Sequence, residues 1–230
     1  MSGKRHTSLS LLLLTIVYVL LLFAGGSKLS AAFHIPHDSS AVSFMAKNSW
    51  AIKWGSFCEL ISALSLGIFM AACVSRLRLL GIRAVGVQIA SFGGIGTTTM
   101  LTFSALTSWS LTRPGVAEAS GAVTALQALT FDGGGPGFAV FLGLFIVGVS
   151  VVAGLNKQIP HWLMWLGIVV ATSCELASLT VLTFTAGYFI PVGRFISIVW
   201  MIGISLKLPG STADKWSKDP YRTSMQATEA

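Results

Sequence analysis

Apolar positions along this chain fall into long blocks separated by short polar stretches. None of the blocks shows the two-residue alternation of a half-buried strand. Six are long enough to predict transmembrane helices, at residues 9–25, 55–74, 84–109, 136–154, 162–184 and 191–208. The expected fold class is all-α, a polytopic six-transmembrane-helix bundle over residues 1–208, followed by a polar, disordered tail at 209–230. The first block follows Lys4-Arg5-His6 and precedes Ser30-Ala31-Ala32, the layout of a cleaved signal peptide. Its apolar core is long for such a peptide, which favours a retained first helix.

Two connections are long, and each is expected to carry a short surface helix. In 27–54, Asp38-Ser39-Ser40 predicts the cap of a helix reaching Asn48, while Trp50 and Trp54 with Lys47 and Lys53 look like interfacial anchors. In 110–135, Val116, Ala119, Val123, Leu126 and Leu129 recur at helical spacing, as in a helix lying on the membrane surface. Asp132-Gly133-Gly134-Gly135-Pro136 then predicts a turn that opens the fourth span. The Lys and Ser/Thr that would make those glycines a phosphate loop are missing. A short link is expected at 186–193. In the third span Gly86, Ala90, Gly94 and Thr98 recur every four residues, a small-residue stripe suited to close helix packing. The neighbouring Gly93-Gly94-Ile95-Gly96 either loosens that helix or admits a partner.

Composition agrees with the blocks: 53% of the 230 residues are hydrophobic and 10% charged. The net charge of +7 raises the question of nucleic acid, but the basic residues sit at the ends of apolar blocks and form no basic domain. With the N-terminus inside, the inner segments hold Lys4, Arg5, Arg76, Arg78, Arg83, Lys157, Lys207, Lys215, Lys218 and Arg222. The outer ones hold Lys28, Lys47, Lys53, Arg113 and Arg194. This bias predicts cytoplasmic termini and places both long connections outside. Cys58, Cys73 and Cys174 all lie inside apolar blocks, which offers neither a disulfide framework nor a Cys-x-x-Cys metal site.

The candidate chemistry is a pair of buried acids. Glu175 lies within Thr172-Ser173-Cys174-Glu175-Leu176-Ala177-Ser178, and Glu59 within Ser56-Phe57-Cys58-Glu59-Leu60-Ile61-Ser62. Hydroxyls three residues either side of each acid share its helix face, and an ionisable group inside a span is a functional-site hypothesis by default. Glu59 lies roughly 8 Å from the boundary marked by Trp54, and Glu175 roughly 20 Å from that marked by Trp162, at helical rise. These depths do not mirror, so no inverted repeat is inferred. They do put Glu59 level with Arg194 in the outer half. The expected ligand or proton site therefore comprises Glu59, Glu175, Arg194, Ser62, Ser178 and Thr172. The alternative is a structural polar cluster that locks the bundle.

Other chemistry finds little support. His34 and His37 with Asp38 are two potential metal ligands beside an acid, but Pro36 opposes their convergence and further ligands are missing. All four histidines lie outside or at the edges of the spans, which leaves a membrane haem without axial ligands. No Gly-x-Ser-x-Gly elbow, Ser-His-Asp grouping or His-Glu-x-x-His motif is present. Neither an enzyme activity, a cofactor nor a metal is implied.

The phrases Ile159-Pro160-His161-Trp162-Leu163-Met164-Trp165-Leu166-Gly167, Phe141-Leu142-Gly143-Leu144-Phe145 and Ala41-Val42-Ser43-Phe44-Met45-Ala46-Lys47-Asn48-Ser49-Trp50 together resemble a bacterial family of six-helix integral membrane proteins known as a domain of unknown function. The expected basic residue after Ile-Pro is His161 here. The resemblance implies a multi-pass protein of the bacterial cytoplasmic membrane and carries no catalytic residues. Two functions are then weighed. One is a binding or accessory bundle that holds a small amphipathic or lipid-like ligand in its outer half. The other is a small secondary carrier or proton-coupled transporter that works through Glu175. The lipid bilayer is a partner in both.

Overall fold

The computed structural model describes residues 6–33 and 41–209. The elements are α1 (His6–Phe33), α2 (Ala41–Leu79), α3 (Val85–Ser110), α4 (Ser120–Asp132), α5 (Phe138–Leu155), α6 (His161–Leu176) and α7 (Phe189–Lys207). A π-helical segment, Gly133–Gly137, joins α4 to α5 without a break. Two 3-10 segments, Ala177–Val181 and Phe184–Tyr188, lie between α6 and α7. No strand occurs among the described residues. The protein is an all-α bundle with helices able to cross a membrane. The expected six spans become five helices that are long and apolar enough, while α1 contributes the shorter described stretch Leu11–Gly26. The proposed tail, Asp38-Ser39-Ser40 and the His34/His37 pair lie outside the described residues.

Packing runs in chain order. α1 lies on α2, α2 on α3, α3 on α5, α5 on α6 and α6 on α7, and α7 returns to α1 to close a ring. Its core is aromatic: Phe69 of α2 meets Phe145 of α5 at 6.4 Å, and Phe145 meets Trp200 of α7 edge-on at 6.0 Å. Polar ties are few and buried. Trp200 Nε1 donates to Ser150 Oγ at 2.9 Å, and the Thr15 and Ser205 hydroxyls pair at 3.1 Å between α1 and α7. Arg76 Nη1 donates to the Leu208 carbonyl at 3.1 Å, tying the C-terminal ends of α2 and α7.

One end of the bundle has tight turns. Gly81, at φ 78°, closes α2: its N–H reaches the Arg78 carbonyl and the Ile82 N–H reaches that of Leu77. This is a Schellman motif, completed by the buried Leu77 and Ile82. α5 ends the same way, with Lys157 at φ 55° in the glycine position.

Several expected boundaries are corrected. The second span does not start at 55. No Gly or Pro interrupts 41–54, and extending a helix is easier than nucleating a separate one, so α2 runs unbroken from Ala41. Of the surface helix and turn expected in 110–135, a helix forms as α4, but the turn does not: the π segment carries α4 into α5, and Ser120–Leu155 is one apolar helix of 36 residues. Glycines that would break a helix in water here allow close approach. A Cβ on Gly133 would lie 2.8 Å from the Phe103 ring, and one on Gly134 2.5 Å from Ser104 Oγ. Neighbouring helices can re-satisfy a locally irregular backbone at membrane depth. The fifth span does not continue to 184: α6 stops at Leu176, and a 3-10 segment carries the apolar stretch on only to Val181. The link expected at 186–193 is mostly helix, with Pro191 tolerated in the first turn of α7.

The small-residue stripe also divides. A step of four residues advances about 40° beyond a full helical turn, so a period-four stripe winds around its helix. Gly86 and Ala90 meet α5, where a Cβ on Gly148 would lie 2.7 Å from the Gly86 carbonyl and 2.8 Å from the Ala90 nitrogen. Gly94 and Thr98 meet α2 instead, through Met70 and Gly67. Gly93 and Gly96 admit Phe145 and Phe141 of α5, and the α-helix through them is unbroken.

Candidate functional site

A cavity of about 960 Å³ opens at the end of the bundle opposite the Arg76–Arg83 turn. The end of α1, the middle of α2, the end of α3, and α4 with its π segment supply most of its wall. Thr180, Phe184 and the start of α7 complete it. Most of its lining is apolar. Exposed Phe23 and Phe195 stack at 6.2 Å on one rim, and Phe131 stacks on exposed Phe184 at 5.5 Å on another.

Glu59 and Arg194 mark its polar end. Glu59 is 6% exposed, and its carboxylate feels the charge of the Arg194 guanidinium. No ion pair within 4.0 Å joins them among the described residues. Gly134 stands between. Its carbonyl accepts from Arg194 Nη1 at 3.3 Å, and a Cβ on it would lie 3.5 Å from Glu59 Oε1. The guanidinium also stacks over Phe138 at 4.5 Å, and the buried Tyr18 hydroxyl faces it. Ser104 lies against the Glu59 carboxylate. Its one proton goes to the Thr130 carbonyl at 3.0 Å, so it does not also donate to Glu59.

Seven buried polar side-chain atoms among the described residues have no hydrogen-bond partner. Four belong to residues lining this one cavity: Glu59 Oε2, Arg194 Nε, Gln127 Oε1 and Thr180 Oγ1. Each costs free energy when buried away from water. All four are buried within its wall and present almost no surface to the space itself.

Of the residues expected from sequence, Glu59, Arg194 and Ser62 line the cavity. Ser62 spends its proton on the Glu59 carbonyl at 2.7 Å. Glu175, Thr172 and Ser178 do not line it. Glu175 Oε1 is buried without a partner against α5, where a Cβ on Gly143 would lie 2.7 Å away. Thr172 is exposed and bonds back to Ile168, and Ser178 is exposed in a 3-10 segment. Cys58, Cys73 and Cys174 are free and buried. Sequence reasoning missed Tyr18, Gln127 and Thr180. Tyr18 left a signal: it is the one aromatic hydroxyl in the first apolar block, and a polar group there must find a partner.

No family model, no curated protein and no solved structure matches this chain. The resemblance to the six-helix bacterial family rests on its three quoted phrases.

Proposed function

We propose that this protein is a six-span binding or accessory bundle of the bacterial cytoplasmic membrane, with both termini cytoplasmic, and that its outer cavity holds a small amphipathic or lipid-like molecule. The observation that carries this reading is a large apolar space lined at one end by two side chains of opposite charge, Glu59 and Arg194. An amphiphile satisfies both halves: its chain fills the apolar volume and its polar group lies against the Glu59 and Arg194 side chains. The orientation rests on Arg76, Arg78, Arg83, Lys157 and Lys207, which cluster at the end away from the cavity. The carrier alternative works through Glu175, which is not a lining residue of this cavity and would need an aqueous path of its own.

Native mass spectrometry of the purified intact chain tests the reading. The expected result is a bound species of amphiphile mass in the wild type, lost in Ala128→Trp, which fills the cavity from α4. The same species in both proteins, or none in either, would refute it.

A further inference from the structure

A groove of about 310 Å³ runs between α2 and α3 toward the Arg76–Arg83 turn, and it shares no lining residue with the larger cavity. Gly67 and Ala71 of α2 line it with Ala90 and Gly94 of α3, and such small side chains leave space between two packed helices. Buried Met70 and Val74 and exposed Ile95 add apolar surface. Its polar groups gather at one end. Gly67 meets Thr98 and Gly94 meets Met70, so α2 and α3 run antiparallel. The same register sets Ser91 level with residues 73–74, next to Ser75. Arg78 follows Ser75 by three residues on the same face of α2, with about 5–6 Å between their Cβ atoms. Ser75 and Arg78 are exposed and Ser91 is half-buried, so all three present surface to the groove. Neither serine hydroxyl has a hydrogen-bond partner among the described residues. The acids among those residues lie elsewhere: Glu59 and Asp132 line the larger cavity, Glu118 follows α3, and Glu175 rests against Gly143 of α5.

We propose that this groove seats one anionic phospholipid, with an acyl chain lying between α2 and α3 and the phosphate on Arg78. Its length fits one leaflet. From Gly67 to Arg78 is roughly 16 Å at helical rise, about half of a hydrocarbon core of ~30 Å. The cation therefore stands where a headgroup begins when a chain fills the apolar part. The guanidinium donates to the phosphate, and the Ser75 and Ser91 hydroxyls donate to phosphate or glycerol-ester oxygens beside it. The headgroup is anionic rather than zwitterionic because no carboxylate lines this groove to receive an ammonium. A basic pocket between spans is the usual seat of such a headgroup. Arg76 does not serve as a second ligand: it is buried and donates to the Leu208 carbonyl. Arg83 is exposed in the same turn but does not line the groove. The assignment is independent of what the larger cavity holds.

The test titrates the purified intact chain in mild detergent with phosphatidylglycerol and phosphatidylethanolamine of identical acyl chains, and native mass spectrometry reads the bound fraction. Phosphatidylglycerol is expected to bind about fivefold more tightly, the scale of one arginine acting on one anionic headgroup. Arg78→Gln should abolish that preference, and Ala71→Trp, which fills the groove from α2, should abolish it as well. Arg83→Gln, of equal charge change in the same turn, should keep it. Arg78 and Ala71 are both exposed, so neither substitution disturbs the core, and thermal unfolding in the same detergent checks that each variant is folded. Equal affinities for the two lipids in the wild type would overturn the proposal. An equal loss of preference in Arg78→Gln and Arg83→Gln would overturn it in favour of diffuse surface charge. A preference that survives Arg78→Gln would place the lipid elsewhere and overturn it too. Free glycerol 3-phosphate at the same concentration should displace nothing, and displacement by it would overturn the assignment to a lipid.

Discussion

Replacing Gly93 by Ala tests the α3–α5 contact on which the bundle depends. A Cβ at this position would fall against the backbone of α5, 2.7 Å from the Phe141 carbonyl oxygen and closer still to the Phe145 nitrogen. Backbone cannot rotate away as a side chain can, so the two helices must separate. Overpacking of this kind costs typically 1–3 kcal/mol, and a backbone clash belongs near the top, at about 3 kcal/mol. Ala also gains about 1 kcal/mol over Gly in a helix interior. The net loss is then about 2 kcal/mol, a fall of roughly 4–8 °C in Tm for a chain of this size. Two controls bracket the effect. Gly121→Ala in α4 meets nothing within 4 Å and should raise Tm by roughly 2–4 °C. Gly94→Ala meets only side chains, Met70 at 3.2 Å and the Phe145 ring at 3.6 Å, and should fall between them. Thermal unfolding of the three variants in one detergent gives the ranking. If Gly93→Ala proves as stable as Gly121→Ala, the close approach of α3 and α5 is wrong.

Other measurements probe separate parts of the account. Ser150→Ala leaves the buried Trp200 N–H without its acceptor and should cost about 1–3 kcal/mol, read by chemical or thermal unfolding; no loss would mean that the bond is absent. Because Glu59 is buried and its carboxylate feels the Arg194 charge, the double-mutant cycle of Glu59→Gln and Arg194→Gln in ligand-free detergent should give a coupling of about 1–3 kcal/mol. Additivity within about 0.5 kcal/mol would mean that the two charges do not sense each other. A cysteine at Ser120 should react with an impermeant thiol reagent in intact cells and one at Ser217 should not, the native cysteines being buried; reversed labelling would invert the proposed orientation.

The helical class and the membrane-spanning blocks were legible because block length and apolarity act over many residues at once. Boundaries were less so, because they depend on what a segment packs against. The run from Asp132 to Pro136 reads as a turn when only local propensity is weighed, yet Phe103 and Ser104 of α3 press against Gly133 and Gly134 and hold the helix together. Gly86, Ala90, Gly94 and Thr98 look like one stripe in sequence, but helical drift turns half of it toward α5 and half toward α2. At the site, depth counted from Trp54 put Glu59 and Arg194 at one level, and both line one cavity. The same counting linked them to Glu175, which the arrangement of α5 and α6 holds away. Gln127 and Thr180 could not be found this way, since neither position stands out until α4 and the 3-10 segment are folded over the cavity.

The account stands or falls on whether the cavity is an amphiphile site. The most direct measurement is site-specific photo-crosslinking, with a photoreactive residue at Leu22 on the cavity wall and another at Val169, which is 63% exposed on α6 and away from the cavity. Membranes carrying each variant are irradiated with and without an excess of an added single-chain lysophospholipid. The account predicts an amphiphile adduct at Leu22 that the added lipid competes away, and only non-competable lipid labelling at Val169. Identical, non-competable labelling at both positions would contradict it.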